Sequence, residues 1–196
     1  MNLGLETGDA APALIAALRP RAEEARLWAE RTLPKGAPIF AAADGSDDVV
    51  LLLSGLVKLV YTTEAGEDWV KSFILDQGVF SGRGAADAAA GEGYGAVCLE
   101  PCRFVRLPRS FVERSAAADD NLRAACAAFA AWVLARKQAR EAALLTMSPE
   151  ARYRMLRTGA AAALARLPQG DVARFLGVTP VAFSRIKRRL QADRQG

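Results

Sequence analysis

Two apolar periods divide the chain. From Ala10 to about Arg31, Leu14, Ile15 and Leu18, then Ala25, Leu27 and Trp28, recur at helical intervals, and Pro20 is expected to break the helix. After the turn Pro34-Lys35-Gly36 the period shortens. Ala37–Phe40, Val49–Leu53, Leu56–Thr62, Trp69–Leu75 and Ala96–Leu107 are short, apolar and rich in β-branched or aromatic residues. Asp44-Gly45, Ser54-Gly55, Ala65-Gly66, Gln77-Gly78 and Glu100-Pro101 punctuate them, and this spacing predicts an antiparallel sandwich or roll. The clearest hairpin runs from Gly55 to Leu75 around the turn Thr63–Glu67. Between Phe80 and Gly95 the pattern fades into Gly and Ala, which reads as a loop with a short helix at Gly84–Ala90.

Past Pro108 the helical period returns. Ser110 is expected to cap a short helix, and Asp119-Asp120 to start a helix of roughly 27 residues, about 40 Å long, with its acids at the positive end. Leu122, Ala125, Cys126, Phe129, Trp132 and Val133 form an apolar stripe, with Arg136 beyond it. That length exceeds what a small roll needs to cover itself. The stripe is therefore expected to meet a twin helix in a parallel coiled coil, with packing on the chain's own body as the other reading. Ser148-Pro149-Glu150 supplies a cap, a first-position proline and an acidic first turn for the next helix, through Tyr153, Met155 and Leu156. Alanine-rich chain then leads to Leu164, Leu167 and Pro168.

The stretch Gln169–Leu190 organises the rest. Asp171, Val172, Ala173, Phe175 and Leu176 make a first helix, and Gly177 follows at its left-handed end. Thr179 caps a second helix that has Pro180 at its first position. Val181, Phe183, Ile186 and Leu190 mark its inward side; Ser184, Arg185, Lys187, Arg188 and Arg189 face outward. A helix, a glycine turn and a second helix with a basic outer face is how a helix-turn-helix meets the DNA major groove. The plain alternative is a helix pair with a solvated basic face.

Charge sharpens this picture. The net charge is +4, yet from Ala151 onward ten Arg/Lys stand against Asp171 and Asp193, while sixteen Arg/Lys stand against twenty Asp/Glu before it. An acidic first part and a basic last part suggest a sensory or assembly domain followed by one that binds a polyanion. The chain has no histidine, which removes Ser-His-Asp and Cys-His catalysis and histidine-held haem or zinc; no convergent acid–base set replaces them, and no enzyme is expected. Cys98, Cys102 and Cys126 make no disulfide framework, and no cofactor or metal is expected. No stretch is apolar enough to span a membrane, and no basic region precedes the first apolar run, so the expected location is the cytoplasm.

Leu51–Gly82 (LLLSGLVKLVYTTEAGEDWVKSFILDQGVFSG) and Pro168–Arg189 (PQGDVARFLGVTPVAFSRIKRR), in this order around a long helix, resemble the Crp/Fnr family of bacterial transcription regulators. Leu144–Leu156 (LLTMSPEARYRML) resembles the family's hinge and the first helix of its DNA domain. The resemblance implies an α+β fold: an N-terminal antiparallel β-roll of the cyclic-nucleotide-binding, cupin-like kind over 1–118 with its N-terminal helix, a dimerisation helix over 119–146, and a helix-turn-helix domain over 147–196. It implies a homodimer paired through Leu122, Cys126, Phe129, Trp132, Val133 and Arg136. The implied partners are double-stranded DNA and RNA polymerase, with an effector small molecule that the sequence does not identify. On this reading Gln169 and Thr179 touch phosphates, Val181, Ala182, Ser184 and Arg185 enter the groove, and Lys187, Arg188 and Arg189 hold the backbone; Arg185 is the candidate for bidentate contact with guanine.

Two departures matter. Cyclic-nucleotide binders of the family carry a Gly-Glu-Leu segment and an Arg-Ser/Thr-Ala segment, whose glutamate takes the ribose hydroxyl and whose arginine neutralises the cyclic phosphate. Here the first reads Phe80-Ser81-Gly82-Arg83-Gly84-Ala85 and the second Glu92-Gly93-Tyr94-Gly95-Ala96-Val97, so no usual cyclic AMP response is expected, and Arg83 and Tyr94 are the candidates for any effector pocket. The N-terminus has no cysteine group for an iron–sulfur cluster. Where the family has a β-hairpin wing, Thr158–Leu167 reads as helix. The alternative function is a small-molecule-binding roll whose basic tail takes protein or RNA.

Overall fold

A computed structural model of the chain describes Leu5 and residues 8–44, 47–82 and 93–192. Helix α1 (Ala10–Glu24) leads into strands β1 (Glu30–Leu33), β2 (Pro38–Phe40), β3 (Asp48–Ser54), β4 (Leu56–Thr62), β5 (Asp68–Leu75), β6 (Gly78–Ser81), β7 (Gly95–Cys98) and β8 (Cys102–Pro108). Helices α2 (Arg109–Ala118), α3 (Asp120–Thr146), α4 (Pro149–Gly159), α5 (Ala161–Arg166), α6 (Gln169–Phe175) and α7 (Pro180–Ala192) follow. The fold class is α+β, as the sequence predicts.

The strands form two four-stranded antiparallel sheets, ordered β1-β8-β3-β6 and β2-β7-β4-β5. Val50 and Leu52 of one sheet meet Val57 and Leu59 of the other, with Phe40, Phe80 and Phe104, in the roll's interior. The odd-numbered neighbours Leu51, Val105 and Leu107 point the other way, onto Leu14, Ile15 and Leu18 of α1. A strand covered on both faces has no polar alternation to keep, which explains the unbroken run Val49–Leu53. Cys98 and Cys102 are both fully buried at the β7–β8 turn, and burial, with Cys102 beside it, pushes the Cys98 thiol up to about 12.

Several local expectations are corrected. Pro20 does not break α1: Leu14, Ile15, Leu18 and Ala22 stay on one buried face across it, and that burial outweighs a proline cost of about 3 kcal/mol. The helix ends instead at Glu24, where Arg26 takes φ 57° and Leu27 N–H closes onto the Ala22 carbonyl at 2.7 Å, so Glu30–Leu33 is strand rather than helix. Ser110 caps nothing; α2 begins at Arg109 after Pro108, with no side-chain cap. Strand β6 escaped the sequence reading because Gly78 to Ser81 is too short to show a period, and Ala96–Leu107 is two strands. The helix expected at Gly84–Ala90 lies outside the described residues.

The long helix forms as read. Its 27 residues start at Asp120 and are capped by Asp119, whose carboxylate accepts from the Asn121 and Leu122 N–H groups at 2.8 and 3.2 Å and from Arg21 at 2.7 Å. Arg21's hydrogen bond holds the Asp119 carboxyl below the ordinary range. Among the described residues no strand lies beyond Pro108; α5 occupies the stretch where the wing would stand.

Candidate nucleic-acid interface

Helix α6 buries Asp171, Val172, Ala173 and Phe175. Gly177, at φ +73°, takes the left-handed end, and Val178 N–H closes onto the Ala173 carbonyl at 3.0 Å. Thr179 Oγ1 accepts from the Ala182 N–H at 3.2 Å, and Pro180 opens α7. Both helix ends are thus closed by the residues that the sequence singles out.

One face of α7 locks it down. Phe183 and Leu190 are buried, Ile186 is half-buried, and the Phe183 ring meets Tyr153 of α4 edge-on at 4.8 Å. Val181 does not share this inward side: it is 64% exposed, at the start of α7 and beyond the reach of α4's apolar face. Gln169, Thr179, Ser184, Arg185, Arg188 and Arg189 are exposed and Ala182 is half-buried. Lys187 reaches back to donate to Gln169 Oε1 at 2.7 Å, joining the middle of α7 to the start of α6. Arg189 comes within 3.4 Å of Glu150. Val181, Ser184, Arg185 and Arg188 therefore stand on one exposed surface of a short helix pair, two of them cationic.

Two cations that sequence reasoning passed over, Arg152 buried and Arg140 half-buried, hold this pair in place. Arg152, 6% exposed, donates to the Leu144 and Met147 carbonyls at the end of α3, at 3.2 and 2.7 Å, and to Leu176 at the end of α6 at 2.7 Å. A guanidinium at two helix C-termini answers their partial negative charge, while burial pushes its pKa down. Arg140 donates to the Val70 and Phe175 carbonyls at 3.1 and 3.0 Å and lies 4.6 Å over the Phe175 ring. Neither pairing has a local sequence signal, because the partners lie as far as 70 positions away.

The side chains assigned to a subunit interface fall mainly inward. Leu122 is 1% exposed and belongs to the core of α1 and the first sheet within this chain. Cys126 and Phe129 pack against the same core, and Phe129 stacks near Trp132 at 5.8 Å. Trp132 lies so close to Gly8 that no Cβ fits there, and Arg136 sits 4.3 Å over its indole. Val133 is half-buried. The open face of α3 carries Ala124, Ala127, Ala131, Leu134, Gln138 and Leu145, with Leu134 and Leu145 at 56% and 78% exposure.

Of the two effector-pocket candidates, Arg83 lies outside the described residues. Tyr94 is buried, its hydroxyl donates to the Ser81 carbonyl, and its ring sits against Phe40 and Tyr61. The Lys71 ammonium lies 3.4 Å from the Tyr94 centroid and 5.1 Å from that of Tyr61. A cleft of about 740 Å³ opens elsewhere, between Leu5, Pro12, Asp76, Gln77 and the start of α5. Among the described residues no cluster of acids and cysteines is arranged to hold a metal, and no helix is long and apolar enough to cross a membrane.

Comparison with known proteins agrees with this architecture. Residues 30–119 match the family model of the cyclic nucleotide-binding domain. No curated protein matches the sequence. Among solved structures, FixK2 from Bradyrhizobium japonicum is 20% identical, with a TM-score of 0.69 over 85% of each chain. A cyclic nucleotide-binding domain containing protein from Listeria monocytogenes EGD-e is 13% identical, with a TM-score of 0.70 over 92% of this chain and 91% of that one. A CooA mutant from Carboxydothermus hydrogenoformans is 11% identical, with a TM-score of 0.68 over 87% and 79%. At these identities the likeness is one of fold. Residues 30–119 are thus similar to the cyclic nucleotide-binding domain, and the chain as a whole shares the fold of these three solved structures.

Proposed function

We propose that the chain is a sequence-specific DNA-binding transcription regulator of the Crp/Fnr type that acts as a homodimer in the cytoplasm. The observation that carries this reading is the α6–α7 pair. It is a helix-turn-helix capped by Thr179, turned at Gly177 and locked by Phe183 and Leu190, with Val181, Ser184, Arg185 and Arg188 left outward. Arg185 reads a guanine edge, Val181 and Ala182 meet a thymine methyl, and Gln169, Thr179, Lys187, Arg188 and Arg189 hold phosphates.

The dimer forms along the open face of α3. Ala124, Ala127, Ala131, Leu134, Gln138, Glu141 and Leu145 keep the alternation of three and four that a coiled-coil seam needs, with two polar positions, Gln138 and Glu141, toward its end, one helix face away from the stripe that packs on the roll. Small side chains there permit close approach, and the exposed leucines supply apolar area to bury.

Cyclic AMP is not the effector on this reading. The segment that should supply a glutamate has none, the one that should supply an arginine has none, and Tyr94, with Lys71 over its ring, stands within the second of them. Selection of bound duplexes from a random pool, with no ligand added, tests the whole reading. A two-fold-symmetric consensus is expected, unchanged by cyclic AMP. No enrichment, with or without a metabolite extract, would overturn it and favour the protein- or RNA-binding tail.

A further inference from the structure

The outer face of β4 and β5 is apolar, and the C-terminal helices cover it. Leu56, Val60, Val70 and Phe73 share one core with Val172, Ala173, Phe175 and Leu176 of α6, with Leu167 and with Leu5 near the N-terminus. Phe73 and Phe175 meet at 5.3 Å. Apolar contact is non-directional; it holds a helix pair onto a sheet without fixing how the pair is rotated there.

Two ionic contacts supply the direction. Lys58 of β4 donates to Asp171 of α6 at 2.9 Å, with side chains only 15% and 8% exposed. Arg166, at the end of α5, grips three turns of the roll at once. Its Nε and Nη2 take the two Glu100 oxygens at 3.0 and 2.6 Å, Nη1 takes Asp76 at 2.6 Å, and Nη2 reaches the Gly55 carbonyl at 3.3 Å. Lys58 and Gly55 lie three residues apart, about 10 Å along an extended strand. Two directional contacts that far apart fix a rotation. A buried ion pair is rarely worth its desolvation as stability, so its return is geometric.

We propose that Lys58 and Arg166 are positioning residues for operator binding: acting through Asp171 and through the turns of the roll, they fix the attitude of α6 and α7 so that a dimer presents two recognition helices at one spacing. The proposal rests on the DNA-binding reading and adds that the roll sets the half-site separation. One base pair more or less displaces a half-site by about 3.4 Å and turns it by roughly a tenth of a helical turn, which a rigidly held pair does not follow.

The test uses the full chain and duplexes with fixed half-sites and a spacer varied by one and two base pairs. Wild type is expected to lose about tenfold or more in affinity per base pair of change. A triple variant, Lys58→Met, Asp171→Asn and Arg166→Met, leaves no orphaned buried charge at Asp171. It is expected to flatten the spacer profile to about threefold while keeping the half-site consensus, and Lys58→Arg with Arg166 intact to restore the steep profile. A merely structural role lowers affinity for every spacer alike; that result, or a flat wild-type profile, overturns the proposal. Amide exchange separates its failure from that of the DNA reading. The α6 amides should exchange about tenfold faster in the triple variant while those of β3 do not change, whether or not DNA binds, and unchanged α6 protection overturns the positioning role.

Discussion

Arg185 is exposed on α7 with Val181 and Ser184 beside it, and nothing in the packing of the helix depends on it. Replacing it with Ala should cost about 1–3 kcal/mol of operator binding and relax preference at one base pair; competition binding with single-position operator variants measures both. A uniform loss across all sequences would make it a phosphate contact instead. Phe183 behaves oppositely. It is 2% exposed against Tyr153, so Phe183→Ala should cost about 3–5 kcal/mol of stability in chemical denaturation and leave base preference as it was in whatever remains folded. At this scale the sequence is most legible where the chemistry is local. Gly177, Thr179, Pro180, Asp119 and Ser148 act on backbone within a few residues, and each does what its position implies. Arg152, Arg166 and Lys58 were not legible, because what they do depends on partners as far as 113 positions away.

At the scale of elements, α3 shows where a periodic pattern stops informing. An apolar stripe says that a face of a helix is covered; it does not say by what. Leu122, Cys126 and Phe129 are covered by the roll and α1, and the face left over carries Ala124, Ala127 and Ala131 with Leu134 and Leu145, and the polar Gln138 and Glu141 between the leucines. Alanine sits at the middle of any apolar scale, so this second stripe gave little contrast beside Phe129 and Trp132. If it is the dimer seam, Leu134→Glu with Leu145→Glu should take the particle from twice to once the 20.9 kDa chain mass in sedimentation, with the helix content intact. Like charges brought together in a seam repel, whereas a solvent-facing stripe tolerates them. A dimer that survives both changes places the seam elsewhere. Pro20 teaches the same lesson in reverse: its local rule was sound, and the burial of one continuous face overruled it.

At the scale of the whole molecule, the seam between roll and C-terminal helices carries its own pH dependence. Burial raises the Asp76 carboxyl, but the Arg166 hydrogen bond and the Gly55 N–H bring it below the ordinary carboxylate range. Arg166's hydrogen bond does the same for Glu100. A depressed folded-state pKa gives stability that is present above the unfolded value, about 4, and is lost as pH falls through the folded one. The Tm difference between wild type and Arg166→Met should therefore be widest near neutrality and close as the pH drops from about 5 to about 3. A gap that persists in acid would mean that Arg166 stabilises through its carbonyl contact and its packing, not through the carboxylates. The order of parts along the chain was readable from the sequence. Their docking was not: Leu56, Val60, Val70 and Phe73 read as strand interior, with no mark that helices would cover their outer face.

The seam's reliance on guanidinium groups has a consequence at the bench. Arg140, Arg152 and Arg166 hold backbone carbonyls and carboxylates with the same planar cation that guanidinium chloride supplies at molar concentration. That denaturant pairs ionically with the same carboxylates and screens the surviving charge, whereas urea, being neutral, hydrogen-bonds the carbonyls without screening any charge. Urea midpoints usually run about twice those in guanidinium chloride, because the m-values differ by that factor. For this chain the ratio should exceed two, and Arg166→Met should bring it back toward two. The choice of denaturant would then decide how stable the protein looks, and two laboratories measuring it differently would report two different molecules.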